Sequence, residues 1–362
     1  MRRAFTALVL AGTMLGLVGC VHNAAADEAS ISCPRADQPL ATFDLAPDPR
    51  TAQGPSTACV PTAAIDAVDD TTAPSLPVTV TDAEGRAVEV ADVDRILPID
   101  ISGTIAATVF ALGLGDRVVG RDSSTDFIGA RELPVVTQSG HTLNAEAILE
   151  LAPTVVLTDT TIGPKEVRQQ LRDAGIAVVV VSSERRLDTA DDLVAEIAAA
   201  LGVPSRGEAL AARIGAEIDD AKSEIAAVAP ADAPRMLFLY VRGSANVYYI
   251  FGRDSGADSL IESVGGVDVA SEIGWEGMKP LTAEALVAAQ PDVLVMMSDG
   301  LASVGGVDGL IETIPAIAQT PAGAHRRVVD MADTAILSFG PRSAEIIRAL
   351  AQAVYAPADF AP

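Results

Sequence analysis

The chain predicts two similar α/β lobes joined by one long helix, and three observations carry that prediction. Apolar β runs alternate with helical segments through most of the 362 residues, and such alternation with near-continuous Val/Ile runs implies a parallel sheet covered on both faces. A block is repeated. Leu143-Asn144-Ala145-Glu146-Ala147-Ile148-Leu149, followed by Ala152-Pro153-Thr154-Val155-Val156-Leu157, recurs without a gap as Leu281-Thr282-Ala283-Glu284-Ala285-Leu286-Val287, followed by Gln290-Pro291-Asp292-Val293-Leu294-Val295. One copy would be an ordinary helix, proline stop and strand; two in register imply two lobes built alike. Between the copies, residues 204–229 place Leu210, Ile214, Ile218 and Ile225 at helical spacing beside charged partners. A helix of about 24 residues is roughly 36 Å long, enough to bridge two lobes.

The elements follow in order. Arg2 and Arg3, an apolar stretch from Ala7 to Leu17 and Leu17-Val18-Gly19-Cys20 read as a signal peptide over 1–20. The cysteine directly after Gly19 makes a lipobox of the bacterial lipoprotein type, so the mature chain is expected to begin at a lipid-bearing Cys20. A transmembrane anchor is the alternative, but an apolar core of about 12 to 15 residues falls short of the roughly 20 a span needs. Residues 21–77 have few periodic segments and read as a flexible tether. The remaining cysteines, Cys33 and Cys59, lie in it; in an oxidising compartment such a pair forms a disulfide, with two free thiols as the alternative.

The first lobe is expected over 78–203. Val78-Thr79-Val80-Thr81, a turn at Asp82-Ala83-Glu84-Gly85 and Val88-Glu89-Val90 alternate as a β-hairpin. Then come a strand at Ile96-Leu97-Pro98, a helix from Gly103 to Leu114, a short strand at Val118-Val119-Gly120, the first repeat, a helix from Pro164 to Ala174 and the strand Ile176 to Val181. The second lobe, 230–362, opens with the strand Met236-Leu237-Phe238-Leu239-Tyr240 and carries the second repeat.

A formal net charge of −24 excludes nucleic acid as a partner, because little is available to neutralise phosphates. Most of this charge reads as solvation. A phosphate loop, an HExxH helix and a G-x-S-x-G elbow are all missing, and the three histidines are too scattered for a triad, so a binding protein is favoured over an enzyme.

A lipobox, a VTVTDAEGR hairpin, an ILPI strand, two [LI]-[NT]-A-E-A-[IL] helices each leading into an x-P-[TD]-V-[VL] strand, and one long connecting helix together resemble the substrate-binding proteins of iron-siderophore, cobalamin and haem ABC importers. The resemblance covers roughly Val78 to Tyr355. It implies the class III periplasmic binding protein fold, two Rossmann-like lobes with the ligand in the cleft between them, at the carboxyl ends of the strands, in agreement with the rule for open parallel sheets.

Two residues choose among the ligands. His141, in Gln138-Ser139-Gly140-His141-Thr142, precedes the first repeat helix, and Tyr240 ends the first strand of the second lobe, before Val241-Arg242-Gly243. H-T-L-N before the helix and Y-V-R-G after the strand are similar to the haem-binding lipoproteins of actinobacterial haem importers. That resemblance makes His141 and Tyr240 the axial ligands of ferric haem b, with Arg242 beside the phenol oxygen. Imidazole nitrogen and phenolate oxygen are both good donors to ferric iron, and the iron and a neighbouring guanidinium both favour the charged phenolate. Further cleft-lining candidates are Arg121, Tyr249, Arg253, Trp275 and Arg342, with Trp275 either facing the cleft or packed on the lobe surface. A ferric-siderophore or cobalamin carrier is the alternative function.

The expected partners are an ABC permease dimer with its ATPase and upstream haem-donor surface proteins. The chain is expected to be a monomer on the outer face of the cell membrane, held there by the lipid alone. The resemblance gives Glu146 and Glu284, at equivalent places in the two repeat helices, the task of docking arginines on the two permease subunits.

Overall fold

The computed structural model describes Cys33 and residues 35–362 apart from Ser139; the signal peptide and Cys20 lie outside the described residues. In the first lobe the strands Ile96–Ile99, Val155–Thr158 and Ala177–Val180 form a parallel sheet in that order. Every residue of the first two is buried, because helices cover both faces. Ile96, Val155 and Val179 pack with Ile105, Val109 and Ile197, while Leu97, Val156 and Val178 pack with Ile148, Val167 and Leu171. The hairpin Val78–Thr81 with Ala87–Val90 forms as expected. Its turn is set by the Asp82 carboxylate, which accepts the backbone N–H groups of Glu84 (3.0 Å) and Arg86 (2.8 Å). The strand expected at Val118–Gly120 is reduced to a single bridge between Val118 and Ile96.

The second lobe orders its strands Ser56–Ala58, Val328–Met331, Val293–Met297, Arg235–Arg242, Val247–Phe251 and Met278–Pro280. The first four are parallel and the last two antiparallel, so the expectation of a wholly parallel sheet fails here. The reason is local. Only Gly243–Ala245 and Asn246, the latter left-handed at φ 54°, separate two strands, and so short a connection can only return antiparallel.

The repeat is visible in the backbone. Asn144 caps its helix by accepting the N–H groups of Glu146 (3.1 Å) and Ala147 (3.3 Å), and Thr282 caps the other by accepting that of Ala285 (3.2 Å). Ala152 and Gln290, each preceding the proline, share a left-handed φ of 43° and 45°.

The connecting helix, Pro204–Ala226, starts on a proline suited to a first helical position and buries Leu210, Ile214, Ile218, Ala221 and Ile225. It packs on the helix Ala190–Ala200 of the first lobe and on Ser343–Tyr355 of the second. One apolar cluster therefore runs from Val109 and Ile197 through Leu210 and Ile225 to Ile347 and Leu350. Gly207 permits the close helix approach, since a Cβ there would stand 2.5 Å from that of Ala198.

The described part of the tether, expected to be flexible, differs from the expectation. Leu40 and Phe43 are buried, Ser56–Ala58 adds an edge strand to the second lobe, and the Ala46 N–H donates to the Tyr355 carbonyl at 2.8 Å. Further on, Val68 N–H donates to Ala111 (2.8 Å) and Ser75 N–H to Gly202 (2.9 Å), both in the first lobe. The segment is a strap across both lobes. Its order comes from main-chain hydrogen bonds, which leave no side-chain period in the sequence. Cys33 and Cys59 are joined by a disulfide with Cα atoms 5.7 Å apart.

Ile225→Ala should cost about 2–5 kcal/mol of folding stability, the range for emptying a buried aliphatic site. Denaturant titration checks this; a loss under about 1 kcal/mol would contradict a core shared through the helix.

Candidate functional site

The first-lobe wall is built from residues at the carboxyl ends of parallel strands. Asp100 follows Ile96–Ile99 and Asp159 follows Val155–Thr158, and the Arg185 Nη2 donates to both, at 3.2 Å and 2.6 Å. Both carboxylates are buried. Asp122 completes the group: it accepts the backbone N–H of Asp100 at 3.0 Å and those of Ser124 and Thr125 at 2.8 Å each. Burial, reinforced by the charge of Asp100, pushes the Asp122 carboxyl up to about 7. Burial also raises Asp159, against the pull of Arg185.

The second-lobe wall follows from strand alternation. Leu237, Leu239 and Val241 pack into the outer cluster. Phe238, Tyr240 and Arg242 occupy the opposite face, where Tyr249 pairs with Tyr240 and Phe251 with Phe238. The Tyr240 and Phe251 rings stack with centroids 5.7 Å apart and planes at 18°. The Arg242 guanidinium carbon lies 4.5 Å above the Tyr240 ring centroid, a cation–π geometry. Its Nη2 donates to Asp333 Oδ2 at 2.5 Å and its Nη1 to the Val241 carbonyl at 2.9 Å. Asp333 in turn accepts the Asp299 N–H at 2.9 Å. Burial raises the Asp333 pKa, opposed by these donors.

Between the walls lies a cavity of about 710 Å³, within the size range of small-molecule sites. Ile101, Asp159, Thr161 and Arg185 line it from the first lobe, and Tyr240, Tyr249, Phe251, Met278, Met297, Asp333 and Leu337 from the second. His141 stands exposed beside it, outside the lining. Partial burial lowers the imidazole pKa, the Arg242 charge lowers it further, and Asp100 and Asp333 oppose them. Since Arg242 and Asp333 belong to the second lobe, the histidine on one lobe feels the charges behind Tyr240 on the other.

Of the candidates read from the sequence, the structure brings Tyr240 and Tyr249 to the cavity. The Arg242 guanidinium lies over the Tyr240 ring, with its Nη2 bonded to Asp333. Arg121, Arg253, Trp275 and Arg342 do not line the cavity. Arg121 Nη1 donates to the Thr125 carbonyl at 2.9 Å, and Arg342 is turned to the Pro61 carbonyl (2.8 Å) and Glu345 (3.2 Å). Arg253 is exposed, its N–H bonded to the Trp275 carbonyl at 2.9 Å. Trp275 packs with Tyr248 and Ile273 on the outer cluster. Glu146 and Glu284 are exposed in the first turns of their helices.

Sequence reading missed Asp100, Asp159 and Arg185, whereas the loop from Asp333 to Arg342 is among its candidate pocket segments. The signal was present for two of them, an aspartate directly after two of the three first-lobe strands, in Ile99-Asp100 and Thr158-Asp159.

The model of the periplasmic binding protein family matches residues 100–335, and the chain belongs to that family, one of binding proteins and not of enzymes. A solved structure of the haem-binding protein HmuT superimposes with a TM-score of 0.80 at 45% identity, over 85% of this chain and 99% of that one. The same protein is known as three single alanine variants, of a histidine, a tyrosine and an arginine. An ABC transporter substrate-binding lipoprotein of Bacillus subtilis (strain 168) is 25% identical over 284 residues, 77% of this chain and 86% of its own. A cobalamin-binding protein of Halobacterium salinarum is 29% identical over 312 residues, 84% of this chain and 81% of its own. The fold is accordingly class III: two α/β lobes on one long helix.

Asp122 generates a test. Its folded pKa lies above the unfolded value of about 4, so the native state holds the extra proton and this group's contribution to stability falls as pH rises from about 4 to about 7. Asp122→Asn should therefore show a flatter decline in melting temperature between pH 5 and pH 8 than the unsubstituted protein. Parallel curves would refute the shifted group.

Proposed function

We propose that this chain is a haem-binding protein of an ABC importer, taking ferric haem into the inter-lobe cleft with His141 and Tyr240 as the two axial ligands. The observation that carries it is the pairing of a cleft tyrosine, stacked on Phe251 and overlain by Arg242, with an imidazole on the opposite lobe that feels Arg242 and Asp333. Burial and the Arg242 charge, against the opposing pull of Asp100 and Asp333, favour a neutral histidine, the form that offers a lone pair to iron. Porphyrin supplies four nitrogens, so two side chains from two walls complete the coordination. The histidine, tyrosine and arginine replaced in the HmuT variants carry the numbers 141, 240 and 242 in that protein, as His141, Tyr240 and Arg242 do here. Cobalamin or a ferric siderophore is the weaker reading: the cobalamin-binding relative is 29% identical against 45% for the haem-binding one, and neither ligand requires a His–Tyr pair.

His141→Ala and Tyr240→Ala should each change the Soret and charge-transfer bands and weaken haem retention at least about tenfold, equivalent to roughly 1.4 kcal/mol. The double variant should retain no haem. Unaltered spectra in both single variants would remove the ligand assignment.

In this reading Cys20 bears the lipid and holds the protein at the outer face of the membrane, in line with the lipoprotein relative. The protein acts as a monomer that accepts haem from surface donors and passes it to a permease dimer driven by its ATPase. Glu146 and Glu284 are the docking knobs, both exposed on first turns that their caps fix in place. Complementary charge of this kind sets register and encounter rate. A carboxylate in a first turn also stabilises its helix by about 0.3–1 kcal/mol, so the decisive measurement is transport. Glu146→Arg with Glu284→Arg should leave haem binding in solution unchanged while haem-dependent growth falls sharply; normal growth would leave the helix-stabilising role alone.

A further inference from the structure

The charges of the cavity bear on how a porphyrin lies in it. A haem is lopsided: two propionate carboxylates project from one edge, while the opposite edge carries only vinyl and methyl groups. The cavity is lopsided too. Asp159 is 1% exposed and lines the first-lobe side, and Asp333, with its side chain 19% exposed, lines the other. Each already holds a guanidinium. Arg185, which lines the cavity, donates to Asp159 at 2.6 Å and Asp100 at 3.2 Å, and Arg242 donates to Asp333 at 2.5 Å.

A propionate directed inward would meet the buried Asp159 and the half-buried Asp333, carboxylates whose counter-cations are engaged. It would give up its water without an ion pair in exchange, and both effects are costly. The same inner region offers Phe251 and Met297, both under 10% exposed, as a surface for an apolar edge. At the outer end the lining carboxylates, Glu184 and Asp254, are exposed to water. Met278 is 63% exposed, Ile101 42%, and the Asp254 side chain 67%, so carboxylates there remain hydrated.

We infer that the cleft holds haem with both propionates directed outward, and that it selects its ligand by metal, ring faces and the inward apolar edge. This rests on the haem reading above and narrows it to a substrate class: iron porphyrins with one carboxylate-free edge, whatever the opposite edge carries.

Three ligands test it on the unaltered soluble protein: ferric protohaem, its dimethyl ester, and iron coproporphyrin III, in which two further propionates replace the vinyls. Titrations followed by the Soret band in a common co-solvent should place the ester within about threefold of haem, since it loses no contact, and the coproporphyrin at least about tenfold weaker, since it must bury like charge. An ester bound tenfold or more weakly than haem would overturn the inference, because it would mean the carboxylates are gripped. Coproporphyrin bound as tightly as haem would overturn it as well. Failure of protohaem itself to bind is a separate result, and sinks the haem reading beneath it.

Discussion

Everything at the cleft depends on the two lobes sharing one apolar core through the connecting helix. Leu210 and Ile225 lie in the same cluster as Ile197 of one lobe and Ile347 of the other, so neither lobe can tilt far without opening a void against the helix. Interiors packed to crystal-like density resist that. The distance between a histidine on one lobe and a tyrosine on the other is thereby set far from either residue. A cleft held in this way can match a rigid, flat ligand without refolding around it, which lowers the entropy lost on binding.

The polar architecture obeys a second constraint. Strand ends converge on the cleft, and aspartates gather there: the buried Asp100 and Asp159 on one wall and the half-buried Asp333 on the other, each countered by arginine. Buried pairs of this sort add little net stability, but losing one partner leaves a stranded charge and is expensive. They fix loops in place. Asp100 and Asp159 tie the ends of two neighbouring strands to Arg185, and Asp333 ties Arg242 to the aromatic face of Tyr240.

Much of this is legible in the sequence because it repeats or alternates. The duplicated helix, proline and strand set out both lobes, and even the left-handed residues Ala152 and Gln290 fall at matching places. Alternation along Phe238, Tyr240 and Arg242 is enough by itself to put tyrosine and arginine on one face of their strand. What escapes is whatever depends on contacts between distant segments. Trp275 mirrors the His141 loop in sequence, yet an antiparallel turn within the second lobe draws its ring to the outer cluster. Arg185 gives no local sign of its role, since its partners lie 85 and 26 residues away. The edge strand Ser56–Ala58 has no period long enough to recognise and exists only because Val328–Met331 lies beside it.

The disulfide has a consequence for reach. With the lipid at Cys20, as proposed, the bond from Cys33 to Cys59 pins the chain to the second-lobe edge thirteen residues after the membrane anchor. Thirteen residues extend at most about 45 Å. On that proposal the carrier would work on a short leash, within about 45 Å of the bilayer, where a permease would meet it at a local concentration that dilution outside the cell cannot lower.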